Sequence, residues 1–215
     1  MENYNDILHT LTLALGASWA SGINLYATIF VLGFASLNGA IVLPESLEIL
    51  NNPLVIGASG LMYCVEFFAD KMPGVDTAWD TLHTFVRIPA GALLAAGVFG
   101  DMGMGAQVAA AIVGGGITTV THATKAGSRV LINTSPEPFT NWGASISEDL
   151  MVFGGLWAAL NHPVLFLSIF VLFIFVIIWL LPKLWRGIKK VFRFLGKLFS
   201  TKDESLSMDN GKEEL

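Results

Sequence analysis

Hydrophobic runs and short polar interruptions alternate along this chain, and only one run reads as an uninterrupted membrane crossing. "PVLFLSIFVLFIFVIIWLLP", Pro163 to Pro182, holds 18 residues between its prolines, of which only Ser168 is polar. About 20 residues of helix cross the ~30 Å hydrocarbon layer, so this run just suffices. Directly after it, Leu184, Ile188, Val191, Leu195 and Leu198 recur at helical spacing, while Lys183, Arg186, Lys189, Lys190, Arg193 and Lys197 fill the other face. That pattern predicts a basic amphipathic helix lying on an anionic membrane surface. The acidic ending "TKDESLSMDNGKEEL" has few apolar residues and predicts a disordered tail.

The remaining runs are shorter or softer. Ile7 to Trp19 is apolar for 13 residues, then "ASG" (Ala20–Gly22) intervenes before "INLYATIFVLGFASL". This is either one long helix with a soft centre or two half-helices meeting at Ser21-Gly22. "LPESLEILNNP" reads as a short interfacial piece. Leu54 to Met72 predicts a helix ended by Pro73-Gly74, and Val75 to Val86 a second, short one limited by Pro89. "AGALLAAGVFG", a segment punctuated at Gly114–Gly116, and a helix from about Ser145 to Leu160 complete the bundle. Its many Gly and Ala residues let membrane helices approach closely.

The predicted fold is all-α. A polytopic transmembrane bundle with short and broken helices occupies 1–162, a C-terminal span 163–182, a basic interfacial helix 183–200 and an acidic tail 201–215. A gapped likeness between "SGINLYAT" and "GGITTVTHAT" offers a weak sign of two inverted repeats, an arrangement common in transporters.

Composition supports a membrane protein. Apolar residues make up 53% and charged residues 13%, against about 25% charged in soluble domains, and mean hydropathy is +0.63. The start "MENYND" lacks the basic region of a secretory signal, so the first hydrophobic segment is expected to be retained. Half of the 12 Lys and Arg residues fall between Lys183 and Lys197, which places that end in the cytoplasm. The lone cysteine, Cys64, reads as a small packing residue. No phosphate loop, zinc-type Cys/His spacing or nucleic-acid module is present, so nucleic acid is not an expected partner.

Against this background the charges between Val65 and Gly91 stand out. Ser59, Tyr63, Glu66 and Asp70 fall at spacings of four, three and four, forming one helical stripe. Asp76, Asp80, His83 and Arg87 form another, and Thr118, His122, Lys125 and Arg129 a third. An ionisable residue at the centre of a membrane helix costs ~2.5–3.5 kcal/mol on insertion scales, so these groups must pair, bind a cation or line water. Acids (Glu66, Asp70, Asp76, Asp80, Asp101, Glu148, Asp149) outnumber the bases of the same span (Lys71, Arg87, Lys125, Arg129). The surplus calls for protonated carboxyls or a bound cation of unspecified identity; no other cofactor is expected. Asp76 has the plain alternative of capping a helix, and His83 and His122 that of packing.

The candidate ion- or substrate-binding residues are therefore Glu66, Asp70, Asp80, His83 and Asn24. Lys71, Arg87, Lys125 and Arg129 are their charge partners, and Glu148 and Asp149 are acids of the second half. Ser18, Ser21, Asn24 and Thr28 would line a polar path if the first segment is broken. Three functions fit these residues. The first is a secondary transporter or channel for a small polar solute or cation. The second is a non-catalytic scaffold binding anionic lipid through Lys183–Lys197 or a partner protein. The third is a metal-dependent enzyme on a lipid phosphate, disfavoured because no catalytic constellation is evident. Homo-oligomerisation stays open.

"ASGINLYAT", "VEFFADKMPGVDTAWDTLHTFVRIPAGALLAA" and "GSRVLINTSPEPFTNW" resemble the bacterial membrane family catalogued as domain of unknown function 4126, over Leu11 to His162. The resemblance implies a polytopic protein of the bacterial inner membrane and carries no substrate or catalytic residue. "EFFADK" (Glu66–Lys71) is also similar in type to the Glu-x-Gly-Asp-Lys/Arg helix of two-repeat cation exchangers. Here, however, Ala69 replaces the glycine and one more residue separates the acids.

Overall fold

The computed structural model describes residues 2–134 and 138–210, with side chains placed for 5–134 and 139–193. Its described residues form helices α1 (Glu2–Ile23), α2 (Leu25–Leu37), α3 (Pro53–Ala69), α4 (Val75–Val98), α5 (Met104–Ile132), α6 (Pro138–Asn161) and α7 (Pro163–Asn210). Short 3₁₀ turns at Glu45–Asn51 and Gly100–Met102 join them, and no strand occurs among the described residues. The all-α bundle predicted from the hydrophobic runs is what is found.

Among the described residues, three helical stretches are long and apolar enough to cross a membrane: α4, α5 and Pro163–Arg193 of α7. A fourth is available if the 3₁₀ turn Glu45–Asn51 and α3, bent by 65° at Asn52, act as one broken span. The distribution of polarity is the reverse of a water-soluble protein's. Leu61, Phe68, Leu82, Phe85 and Ile112 are exposed, while Glu66, Arg87 and Arg129 are fully buried. A chain whose outer solvent is lipid needs this arrangement, because only the interior can satisfy its charges.

The centre of the bundle is the triple packing of α1, α4 and α5. Glycine makes it possible at two places. A Cβ on Gly91 would lie 2.0 Å from Thr118 Oγ1, and one on Gly114 would lie 2.3 Å from Ala95 Cβ. Both would force the helices apart. Thr118 Oγ1 then bonds across the gap to Ser18 O at 2.8 Å.

Several boundaries differ from those predicted. The pattern puts a stop at Pro89, but α4 continues through it to Val98. Proline removes only one helical N–H, and membrane helices tolerate that loss when packed on neighbours, as α4 is on α1 and α5. Gly114–Gly116 likewise does not punctuate α5, which is continuous from Met104 to Ile132. Gly114 and Gly115 instead face Ala95 and Ala92 of α4, so this glycine run serves close packing. The first segment is broken, at Asn24 rather than at Ser21-Gly22. Asn24 adopts an extended backbone and caps α2, its Oδ1 accepting from Ala27 N at 2.9 Å. The corresponding stretch of α5, Gly115 to Thr124, is unbroken, so the sequence likeness between the two halves is not accompanied by a shared helix break.

The C-terminal elements merge. α7 runs without interruption through Pro182 to Asn210, so neither a separate surface helix at 183–200 nor a structureless stretch at 201–210 is seen; 211–215 lie outside the described residues. The apolar stripe read as facing lipid headgroups turns inward at its start. Leu184 is buried, and Leu184 and Ile188 approach Gly127 of α5, while Gly187 sits under Leu131. Leu195, Lys197 and Leu198 fall among residues whose side chains are not described. Cys64, expected to pack internally, is exposed on the outer face of α3.

Candidate functional site

The three predicted stripes converge. Glu66 and Asp70 end α3, Asp76, Asp80 and Arg87 lie on α4, Lys125 and Arg129 on α5, and all seven are buried. Glu148 of α6 closes the cluster, with 13% of its side chain exposed.

Arg87 is the inner hub. Its Nη2 donates to Glu66 Oε1 at 2.6 Å, and its Nη1 donates to Asp80 Oδ1 at 2.9 Å and to His122 Nδ1 at 3.2 Å. A guanidinium only donates, so Nδ1 of His122 must be the bare nitrogen and the ring is neutral. His122 then carries its proton on Nε2, facing Thr84 Oγ1 at 2.7 Å, while Thr84 donates to Asp80 O at 2.9 Å. The chain Thr84–His122–Arg87 thus orients the guanidinium between two carboxylates.

Lys125 is the second hub. Its Nζ donates to Asp70 Oδ2 at 2.7 Å and to Ile23 O at 3.0 Å. Glu66 Oε1 at 3.4 Å, Asp80 Oδ1 at 3.6 Å and Glu148 Oε2 at 3.8 Å surround it. The Ile23 carbonyl belongs to the last turn of α1, whose carbonyls lack helical partners. The break at Asn24 therefore supplies a ligand to the cluster through the backbone of its neighbour.

Arg129 is the third hub, nearest the α5–α6 connection. Nη2 bonds Glu148 Oε2 at 2.5 Å, and Nη1 bonds Asp70 O and Asn141 O, each at 3.1 Å, together with Asn141 Oδ1. Asp70 Oδ2 at 3.9 Å and Asp76 Oδ2 at 4.0 Å stand just beyond. Asp76 does not sit at the cap position, which Gly74 fills. Its Oδ1 gathers Gly74 N at 2.9 Å, Thr77 N at 2.6 Å and Asn133 Nδ2 at 2.7 Å, tying the α3–α4 turn to the end of α5.

Charge does not balance here. Five carboxylates (Glu66, Asp70, Asp76, Asp80, Glu148) face three permanent cations (Arg87, Lys125, Arg129). The half-buried Asp149 and Lys71 add one of each sign and leave the difference unchanged. Even a charged His83 would offset only one unit. Glu66 Oε2, Asp70 Oδ1, Asp76 Oδ2 and Asp80 Oδ2 are buried without any protein hydrogen-bond partner. Yet no group of three or more His, Cys, Asp or Glu side chains is placed to hold a metal ion among the described residues.

The other predicted residues lie around this network. His83 does not bond Asp80; its Nδ1 meets Trp79 O at 2.9 Å, its Nε2 meets Tyr26 OH at 3.1 Å, and its ring stacks on Trp79. Asn24 touches no base and neighbours Asp149. Lys71 lies at the rim, its Nζ 3.0 Å above the Phe67 ring and bonded to Ser145 Oγ at 3.2 Å. Burial holds its ammonium below the ordinary lysine value. Ser18, Ser21 and Thr28 are buried but bond helix carbonyls, so they pack rather than line a path. Asn133 and Asn141 were not singled out from the sequence: isolated amides at helix ends carry no periodic signal. Asp101 is exposed at the far end of α4.

Fold and site together define a polytopic helical membrane protein built around a buried, acid-rich ion-pair network. The chain belongs to the family described as domain of unknown function (DUF4126), whose profile matches residues 11–183. The match reaches past His162 into α7, so the last span, left outside the sequence resemblance, is part of the family unit. No curated protein and no solved structure matches the chain.

Proposed function

We propose that this protein is a secondary transporter or channel of the bacterial inner membrane, and that the cation its carboxylates handle is the proton. One observation carries the reading: a largely buried cluster holds two more carboxylates than cationic side chains, and four of those carboxylates keep a buried oxygen without a hydrogen-bond partner. A proton needs one such oxygen, whereas Ca²⁺ takes six to eight oxygens and Mg²⁺ a near-octahedral set. The isolated oxygens favour protons. Proton exchange between the carboxylates of α3 and α4 would couple to movement of a small polar solute.

Direct measurement is available in proteoliposomes carrying an internal pH dye and a potassium-diffusion potential. Wild-type protein takes up protons; Glu66→Gln and Asp70→Asn lower the rate at least ~100-fold, the lower end of what a general acid–base group commonly contributes. Unchanged uptake in both variants would remove the site.

A scaffold is the second reading, favoured by the fact that Arg87, Lys125 and Arg129 each already have two or more carboxylate neighbours. The same fact weighs against lipid-phosphate chemistry, because no base of the cluster is free for a phosphate. In either reading the exposed Lys183, Arg186, Lys189, Lys190 and Arg193 rest on anionic headgroups at a cytoplasmic end.

A further inference from the structure

Proton handling requires a way in, and the ion-pair network is closed on nearly every side. A surface crevice reaches it. Between α5, α6 and α7 lies a half-enclosed crevice of about 130 Å³, lined by Ile23, Thr121, Thr124, Lys125, Ser128, Glu148, Met151 and Phe173. Its walls include the two cluster members Lys125 and Glu148 and three hydroxyl side chains. Thr121 is 3% exposed, and its Oγ1 has no hydrogen-bond partner. One water molecule needs about 10–15 Å³ of such space, so the crevice has room for several. A buried free hydroxyl beside a carboxylate and an ammonium supplies the polar partners such waters need.

We propose that this crevice is the hydrated proton entry, with Glu148 as the first acceptor; this rests on the proton-transport reading above. A hydronium ion gives its proton to Glu148 and leaves as water. Neutral Glu148 no longer holds Arg129, whose Nη2 it accepts at 2.5 Å, or attracts Lys125 at 3.8 Å. Both cations have a second carboxylate in reach: Asp70 Oδ2 lies 3.9 Å from Arg129 Nη2 and 2.7 Å from Lys125 Nζ. Arg129 moves toward Asp70, and the proton's arrival is passed inward as an exchange of partners. The charged groups facing Glu148 are Lys125 and Arg129 from α5, Asp70 and Lys71 from the end of α3 and the turn after it, and Asp149 from its own helix. α7 contributes the neutral Phe173.

Water in the crevice is testable without transport. With the exposed Cys64 changed to Ser, single cysteines are placed at Ser128 in the crevice wall and at Ile112, which is 71% exposed on the apolar part of α5. A hydrated thiolate attacks a membrane-impermeant charged methanethiosulfonate and displaces methanesulfinate, so Ser128→Cys should react at least ~100-fold faster than Ile112→Cys in lipid. Modified Ser128→Cys should then lose proton uptake at least tenfold, and Glu148→Gln should lose it likewise. Equal inertness at both positions overturns the crevice, and so does full uptake after Ser128→Cys is modified. In those cases uptake that still depends on Glu66 leaves the broader reading standing. Wild-type protein that takes up no protons overturns both.

Discussion

Arg87→Met will destabilise the protein by about 3–5 kcal/mol, the range for removing one partner of a buried ion pair. The guanidinium is fully buried and bonds Glu66 at 2.6 Å, Asp80 at 2.9 Å and the neutral His122. Its loss leaves those two carboxylates only the shared Lys125, 3.4 and 3.6 Å away, and takes the donor from a histidine nitrogen. Methionine fills the volume, so the measured loss reports charge and hydrogen bonding rather than a cavity. Thermal unfolding in detergent micelles provides the readout. Adding Glu66→Gln and Asp80→Asn in the same chain should restore most of the stability, because the stranded charges are then gone. A melting curve for Arg87→Met alone that overlays the wild type would show that the pairing contributes nothing.

Lys125→Met carries the second large effect, again about 3–5 kcal/mol on the same physical ground. Its ammonium is the common neighbour of Glu66, Asp70, Asp80 and Glu148, and it also holds the Ile23 carbonyl at the break between α1 and α2. Deleting it enlarges the acid surplus from two to three. Asp70→Asn in the same chain should recover stability, since Asp70 is its closest partner at 2.7 Å. The doubly changed protein separates the two readings of the network. A scaffold regains its function with its fold, whereas a proton transporter regains its fold and stays inactive. Unaltered stability in Lys125→Met would mean that the carboxylates around it are already neutral.

Much of this network is legible in the sequence. The stripes Glu66/Asp70, Asp80/Arg87 and Lys125/Arg129 follow helical spacing, and the cost of bare charge in lipid forces such stripes to face one another. Which base meets which acid was not legible, because pairing depends on the rotation of three helices about their axes. Pro89 and Gly114–Gly116 misled for a related reason. In water these residues end helices, but in α4 and α5 neighbouring helices hold the backbone, and glycine serves contact with Ala95 and Ala92 instead. Asn24 breaks the helix so that Ile23 O reaches Lys125, while its side chain caps α2 beside Asp149. His122 joins the cluster as its stripe predicts, whereas Asn133 and Asn141 bond cluster members through geometry that no local motif encodes. The basic stripe of α7 was read correctly as helical, but its first apolar residues pack on α5 instead of lying on lipid.

Whether acid groups at the heart of this molecule hold protons at neutral pH is open to infrared spectroscopy in lipid, where a neutral carboxyl shows a carbonyl stretch distinct from that of its anion. The charge imbalance predicts such a band in the wild-type protein, diminished when Glu66, Asp70, Asp76 or Asp80 is replaced by its amide one at a time. A spectrum in which all of these groups are anionic, unchanged across the four replacements, would contradict it.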